Sequence, residues 1–125
     1  MIHLDTHVVV WICAGDLERL PESVMRKVQA LTPVVSPMVG LELQCLHEIG
    51  RLTEPAHVLL DLMRERLGLV VSEQSFPAVA ARAWGLCWTR DPFDRLIAAA
   101  ALVDDLPLLS ADERMLANCS VAEWA

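Results

Sequence analysis

Asp91-Pro92-Phe93-Asp94-Arg95-Leu96-Ile97-Ala98-Ala99-Ala100-Ala101 reads as a carboxylate-bearing turn running directly into an apolar, alanine-rich helix. Asp91 before Pro92 has the form of an N-cap with proline at the first helical position. Counting on from that cap places Asp94 at the third helical position, inside the positively biased first turn. Leu96 and Ile97 tie the turn to the buried end of the helix. Such a helix can bury nearly all round, so an acid in its first turn sits at the rim of the core.

Outward from this stretch, short apolar runs alternate with helical segments. Ile2-His3-Leu4, Val34-Val35, Leu69-Val70-Val71 and Leu108-Leu109 read as strands, with a last short one near Val121. Helices are expected over Thr6 to Cys13, Pro21 to Leu31, Ser36 to Ile49, from Glu54-Pro55 onward, Ser75 to Leu86, and Pro92 to about Val103. Thr6 is the expected N-cap of the first helix, and Ser36-Pro37 opens another in the same manner as Asp91-Pro92. Ser110-Ala111-Asp112-Glu113 has the S-x-x-E form of a capping box, which would put Asp112 at the second helical position. Asp104 and Asp105 read as solvated residues closing a helix. The alternation implies α/β architecture in three α/β/α layers, with a short, mainly parallel central sheet covered on both faces. No linker, repeat or low-complexity tract divides the 125 residues, so residues 1–125 read as a single domain.

Hydrophobic residues make up 54% of the chain and its mean hydropathy is +0.40, which excludes a disordered class and leaves apolar surface for a subunit or partner interface. No apolar run approaches the roughly 20 residues of a membrane span, and the N-terminus lacks the features of a signal peptide. Cys13, Cys45, Cys87 and Cys119 are scattered without a Cys-x-x-Cys pair, so they read as buried free thiols in a reducing cytoplasm. The net charge of −7 argues against a broad basic nucleic-acid surface. It leaves open nucleic acid reaching a cleft whose bound cations reverse the local sign.

Four acids recur at ends of elements: Asp5 after the first strand, Glu42 between Leu41 and Leu43 early in an apolar helix, Asp94, and Asp112 after Leu108-Leu109-Ser110. Asp5 and Asp112 fall just past strand ends, where open α/β sheets gather their ligands. Carboxylates brought together without a cation repel one another and raise their pKa values. An acidic cluster therefore suggests a hard divalent ion such as Mg²⁺, which takes oxygen ligands. Each acid has a plainer reading: capping for Asp5 and Asp91, a solvent-facing side chain for Glu42, first-turn capping for Asp94. Arg90 and Arg95 flank the acidic turn and are candidates to position phosphates. His3 and His7 fall on different elements, which speaks against a zinc pair. Trp11, Trp84 and Trp88 read as core or interface rather than as base-stacking platforms.

Leu4-Asp5-Thr6-His7-Val8, Glu42 in a Ser-Pro-led helix, Asp91-Pro92-Phe93-Asp94-Arg95-Leu96-Ile97-Ala98 and Leu109-Ser110-Ala111-Asp112 together resemble the PIN-domain pattern, in order and over nearly the whole chain. The sequence looks most like the VapC toxins of bacterial type II toxin–antitoxin modules. That resemblance implies a metal-binding and catalytic set of Asp5, Glu42, Asp94 and Asp112, with Thr6, Ser110 and Asp91 supporting it. It also implies Mg²⁺- or Mn²⁺-dependent cleavage of an RNA substrate, a cognate VapB-like antitoxin and a homodimer, with no membrane partner. Thr89 departs from the pattern, since many relatives carry His there. The alternative is an inactive PIN-like module that binds RNA or protein. A haloacid-dehalogenase-like phosphatase is disfavoured because Asp5-Thr6-His7 lacks the second Asp. A receiver domain is disfavoured because Lys27, the only lysine, is far from the last strand.

Overall fold

Ile2, His3 and Leu4 are all fully buried in the computed structural model, which describes residues 1–125. Successive residues of a strand point to opposite faces, so this strand, β1 (Ile2–Leu4), is covered on both sides. The chain continues through α1 (Thr6–Ala14), α2 (Glu22–Ala30), β2 (Pro33–Val35), α3 (Pro37–Glu48), α4 (Ala56–Leu67) and β3 (Val70–Val71). It then passes through α5 (Phe76–Trp84), α6 (Pro92–Asp104), β4 (Leu108–Leu109), α7 (Glu113–Asn118) and β5 (Ala122–Glu123). The sheet has the order β3-β2-β1-β4-β5. Every neighbouring pair is parallel, so the expected mainly parallel sheet is wholly so.

Leaving β1, the chain goes to β2 on one side, while β4 returns to the other side with Leu109 opposite Leu4. The strand order reverses at that point, which opens a crevice beyond the carboxyl ends of β1 and β4. The alanine run explains the position of α6: Ile97 through Ala101 are each no more than 1% exposed, and their small side chains let the helix pack against both α5 and α3. In turn, α3 packs on α1 and α4, so the helices carrying the acids share one core.

The helix starts at Ser36-Pro37 and Asp91-Pro92 match the sequence reading: Ser36 Oγ accepts from the Met38 amide, and Asp91 Oδ1 from the Phe93 amide. Two other caps shift by one or two residues. Asp5, not Thr6, caps α1, since its backbone is extended and its own Oδ1 accepts from the Thr6 amide at 2.8 Å. Asp112, not Ser110, caps α7. The Ser110 amide is held by the Glu123 carbonyl in the β4–β5 pairing, so the backbone there still belongs to the sheet and Glu113 has no free amide to close a capping box.

Three further expectations are corrected or narrowed. Asp104 is not simply solvated: its carboxylate accepts from Nε2 of the buried His3 at 2.7 Å, giving a polar group on the central strand its partner. Of the two readings for the tryptophans, core or interface, Trp84 at 78% exposed keeps only the second, whereas Trp11 and Trp88 pack partly buried against the core. All four cysteines are free, but only Cys119 is buried, and Cys87 is exposed. No helix is long and apolar enough to cross a membrane.

A candidate acidic active site

Asp5, Glu42, Asp94 and Asp112 line one cleft of about 550 Å³, together with Thr6, His7 and Asp91. Each comes from a different element, and each is placed by a local rule. Asp5 is the residue that leaves β1 and caps α1. Glu42 lies on α3 beside the core positions Val39 and Leu43, at the edge of the buried face. Asp94 occupies the first turn of α6, and Asp112 caps α7 just past β4. Asp91 caps α6 as expected and also reaches the cleft wall.

A hydrogen-bond frame fixes the β1–β4 end of the cleft. Asp5 Oδ2 accepts from the hydroxyl of the fully buried Ser110 at 2.8 Å, and Ser110 Oγ accepts from the Asp112 amide at 3.1 Å. Ser110 therefore couples the two acids. His7 Nε2 accepts from the Ala111 amide at 2.8 Å, which assigns the ring proton to Nδ1, 3.8 Å from Asp5 Oδ2. The His7 ring packs against Trp11 with centroids 4.8 Å apart, and Trp124 closes the aromatic group. Burial holds the His7 pKa below its ordinary value, against the opposing pull of Asp5 and Asp112.

The acids strain one another electrostatically. Burial, followed by the charges of Asp91, Asp5, Asp112 and Glu42, pushes the Asp94 carboxyl up to about 7. Burial is also the main cause of an upward shift at Glu42. A nearby Thr6 hydroxyl opposes that shift, and Asp5 and Asp91 add to it. Yet the buried Thr6 Oγ1 meets no acceptor at hydrogen-bonding geometry, which leaves a spare polar atom at the cleft floor.

As placed, no three of these side chains converge tightly enough to hold one ion. The donor set nonetheless fits a hard divalent cation. It offers only oxygen ligands from four carboxylates, its mutual repulsion is the kind a cation relieves, and the orphaned Thr6 hydroxyl can satisfy a coordinated oxygen. Glu42, Asp94 and Asp112 are half-buried, whereas Asp5 is buried and fixed by two hydrogen bonds.

The arginines depart from expectation. Arg95 Nε donates to the Thr89 carbonyl at 2.7 Å, so this side chain staples the loop before α6 and does not face the cleft. Thr89 belongs to the same small frame: it is buried, and its Oγ1 accepts from the Asp91 amide at 3.2 Å. Arg90 is exposed and lies off the cleft. The cations on the cleft wall are Arg19 and Arg51, neither of which the sequence reading singled out. The available signals were weak. Both follow a left-handed glycine, Gly15 at φ 65° and Gly50 at φ 82°, where the chain folds back over the helix it has just left.

A PIN domain family model matches residues 2–120. Three solved structures share the fold. VapBC2 from Rickettsia felis bound to a DNA fragment from its promoter aligns with a TM-score of 0.70 at 20% identity, covering 100% of this chain and 99% of that one. DNA-bound VapBC from Salmonella typhimurium aligns at 0.69 and 16% identity, covering 99% and 96%. VapBC-1 from nontypeable Haemophilus influenzae aligns at 0.58 and 16% identity, covering 100% and 97%. No curated protein matches the chain by sequence.

Proposed function

Because the chain belongs to the PIN domain family, we propose that it is a metal-dependent endoribonuclease acting as the toxin of a VapBC-like toxin–antitoxin module. The observation that carries this reading is the assembly of Asp5, Glu42, Asp94 and Asp112 from four elements into one cleft, with Asp94 pushed up to about 7. A half-buried carboxyl opposed first by burial and then by four neighbouring carboxylates is a poor structural device and suits a cation.

Asp5, Glu42, Asp94 and Asp112 are the residues that would hold Mg²⁺ or Mn²⁺, which supplies a Lewis acid for the scissile phosphate and an activated water. The chain's own residues supply geometry. Asp5 is held by the Thr6 amide and the Ser110 hydroxyl, so its carboxylate presents a fixed edge to the cleft. Ser110 passes that alignment to Asp112 through its amide. The free Thr6 hydroxyl is placed to donate to a phosphate oxygen or water at the floor. Nothing in the cleft forms a nucleophile–base pair, so water attack in line with the leaving oxygen is the reaction these groups suit.

A VapB-like antitoxin is the proposed partner, by analogy with the VapBC structures that share this fold over nearly their full length. A second copy of the chain is proposed to dock on α5, whose Phe76 and Trp84 are 64% and 78% exposed and eight residues apart, hence on neighbouring helix faces.

RNA cleavage by the wild type and by Asp5→Asn, with and without Mg²⁺, tests the nuclease. Asparagine Oδ1 can still cap α1, while its Nδ2 replaces the oxygen that accepts from Ser110 and donates to Ser110 Oγ instead, so the fold is retained while one ligand charge is lost. Metal-dependent loss of RNA from the wild type alone is expected; equal loss from both would sink the reading. The separation of the acids as placed favours the second reading, an inactive RNA- or protein-binding module. RNA bound but uncut by the wild type at any metal concentration would establish it.

A further inference from the structure

The cleft is not uniformly acidic along its length. On α1, the acid at the cap, Asp5, is followed five residues later by Val10; on α3, Glu42 is followed one turn later by Leu46. Helical rise puts Leu46 about 6 Å beyond Glu42 along α3 and Val10 about 7 Å beyond Asp5 along α1, and the two helices pack against each other. Beyond Val10 and Leu46, where the chain turns back after each helix, the wall carries Arg19 and Arg51. Acidic, apolar and basic lining residues thus follow one another in the same sequence order through α1 and α3 and the turns that leave them.

The two guanidiniums are presented differently. Arg19 lies over the Trp11 ring with its Cζ 5.5 Å from the centroid, and its Nε is 3.4 Å from Asp16 Oδ2. The ring face attracts the cation and favours one placement of the guanidinium over it. Arg51 forms no ion pair with any side chain. Arg19 is 63% exposed at its side chain beyond the Asp16 contact and Arg51 has no side-chain partner, so both cations on this cleft wall remain open to an anionic ligand.

We propose that Arg19 and Arg51 form a phosphate-anchoring wall that holds the backbone of single-stranded RNA one step away from the scissile phosphate. This rests on the ribonuclease reading of the same cleft. The order of the lining residues matches a nucleotide strand: a phosphate at the acidic end, where a cation reverses the sign, a sugar and base over Val10 and Leu46, and the next phosphate on the arginines. An acidic protein segment suits the cleft less well, because it has no counterpart to the carboxylate end. Arg19 and Arg51 are positioning residues in this scheme and take no part in bond cleavage.

The test uses the full-length chain and a mixed-sequence single-stranded RNA oligonucleotide. Cleavage kinetics are measured for the wild type, Arg19→Ala, Arg51→Ala, Arg19→Lys and the off-cleft control Arg90→Ala. The salt dependence of binding is measured in an Asp94→Asn background, so that the RNA stays whole. Each alanine variant is expected to raise KM about tenfold with kcat nearly unchanged, and to lower the slope of log affinity against log salt by about 0.7. Arg19→Lys should keep the slope and lose part of the affinity, because charge remains without the stacked fork. Arg90→Ala should behave as the wild type. Cleavage by the wild type with unchanged KM and slope in both alanine variants would overturn the inference and leave the ribonuclease reading standing. A wild type that cuts no RNA overturns both. If the two substitutions weaken binding of poly-glutamate and not of RNA, the wall serves an acidic protein partner and the inference fails.

Discussion

Asp94 carries a charge where burial and four neighbouring carboxylates oppose it, and this conflict has a measurable sign. Between its ordinary value of 3.8 and its folded value of about 7, the folded chain binds more protons at this site than the unfolded chain does. Stability must therefore fall as pH rises through that window. Replacing Asp94 with Asn removes the penalty. In EDTA at about pH 8, Asp94→Asn should melt at a higher temperature than the wild type, with the gap closing toward about pH 4. Added Mg²⁺ should raise the melting temperature of the wild type and barely move the variant, which should also have lost cleavage. Asp91→Asn can still accept from the Phe93 amide and should be mild in both assays. Its alanine counterpart should cost about 1 kcal/mol of stability through the lost cap. The reverse order of severity in the cleavage assay would mean that Asp91, not Asp94, is the ligand.

At the level of elements, what could be read from sequence was what depends on near neighbours. Asp91-Pro92 and Ser36-Pro37 announce helix starts because a cap and its target amide lie two residues apart. The apolar runs gave the strands, and their alternation with helices gave the layers. The candidate acids were legible because Asp5 and Asp112 directly follow strands and Asp94 follows a cap. Two of the misreadings share one cause, a partner distant in sequence. Ser110 lost its capping role because Glu123 claims its amide from β5, and Asp104 was drawn inward by His3 from β1. Arg95 turned to the Thr89 carbonyl, while Arg19 and Arg51 reached the cleft through fold-back turns with no periodic signature. Ser110 also shows how one hydroxyl can join two elements. Ser110→Ala would leave Asp5 Oδ2 and the Asp112 amide without their shared partner, at a cost of about 1–3 kcal/mol in urea denaturation. It should also lower cleavage, since both acids lose their alignment. Unchanged cleavage at full metal would remove Ser110 from the supporting set.

For the whole molecule, the exposed aromatic residues of α5 bear on assembly. Trp84→Glu should shift the sedimentation of the chain from dimer to monomer while the circular dichroism and RNA cleavage of each chain stay near wild type, because Trp84 lies outside the cleft. A dimer that survives the substitution would place the interface elsewhere. The sheet order has a further consequence, in time rather than in space. The neighbour of β1 is β4, from the far end of the sequence, with His3 paired to Leu108 and Leu4 to Leu109. As the chain leaves the ribosome, β1 waits with one edge bare until Leu108 and Leu109 have been made. The fourth carboxylate, Asp112, emerges only after that edge can close. Translation order alone therefore keeps the acidic set incomplete until the chain beyond β4 has been made.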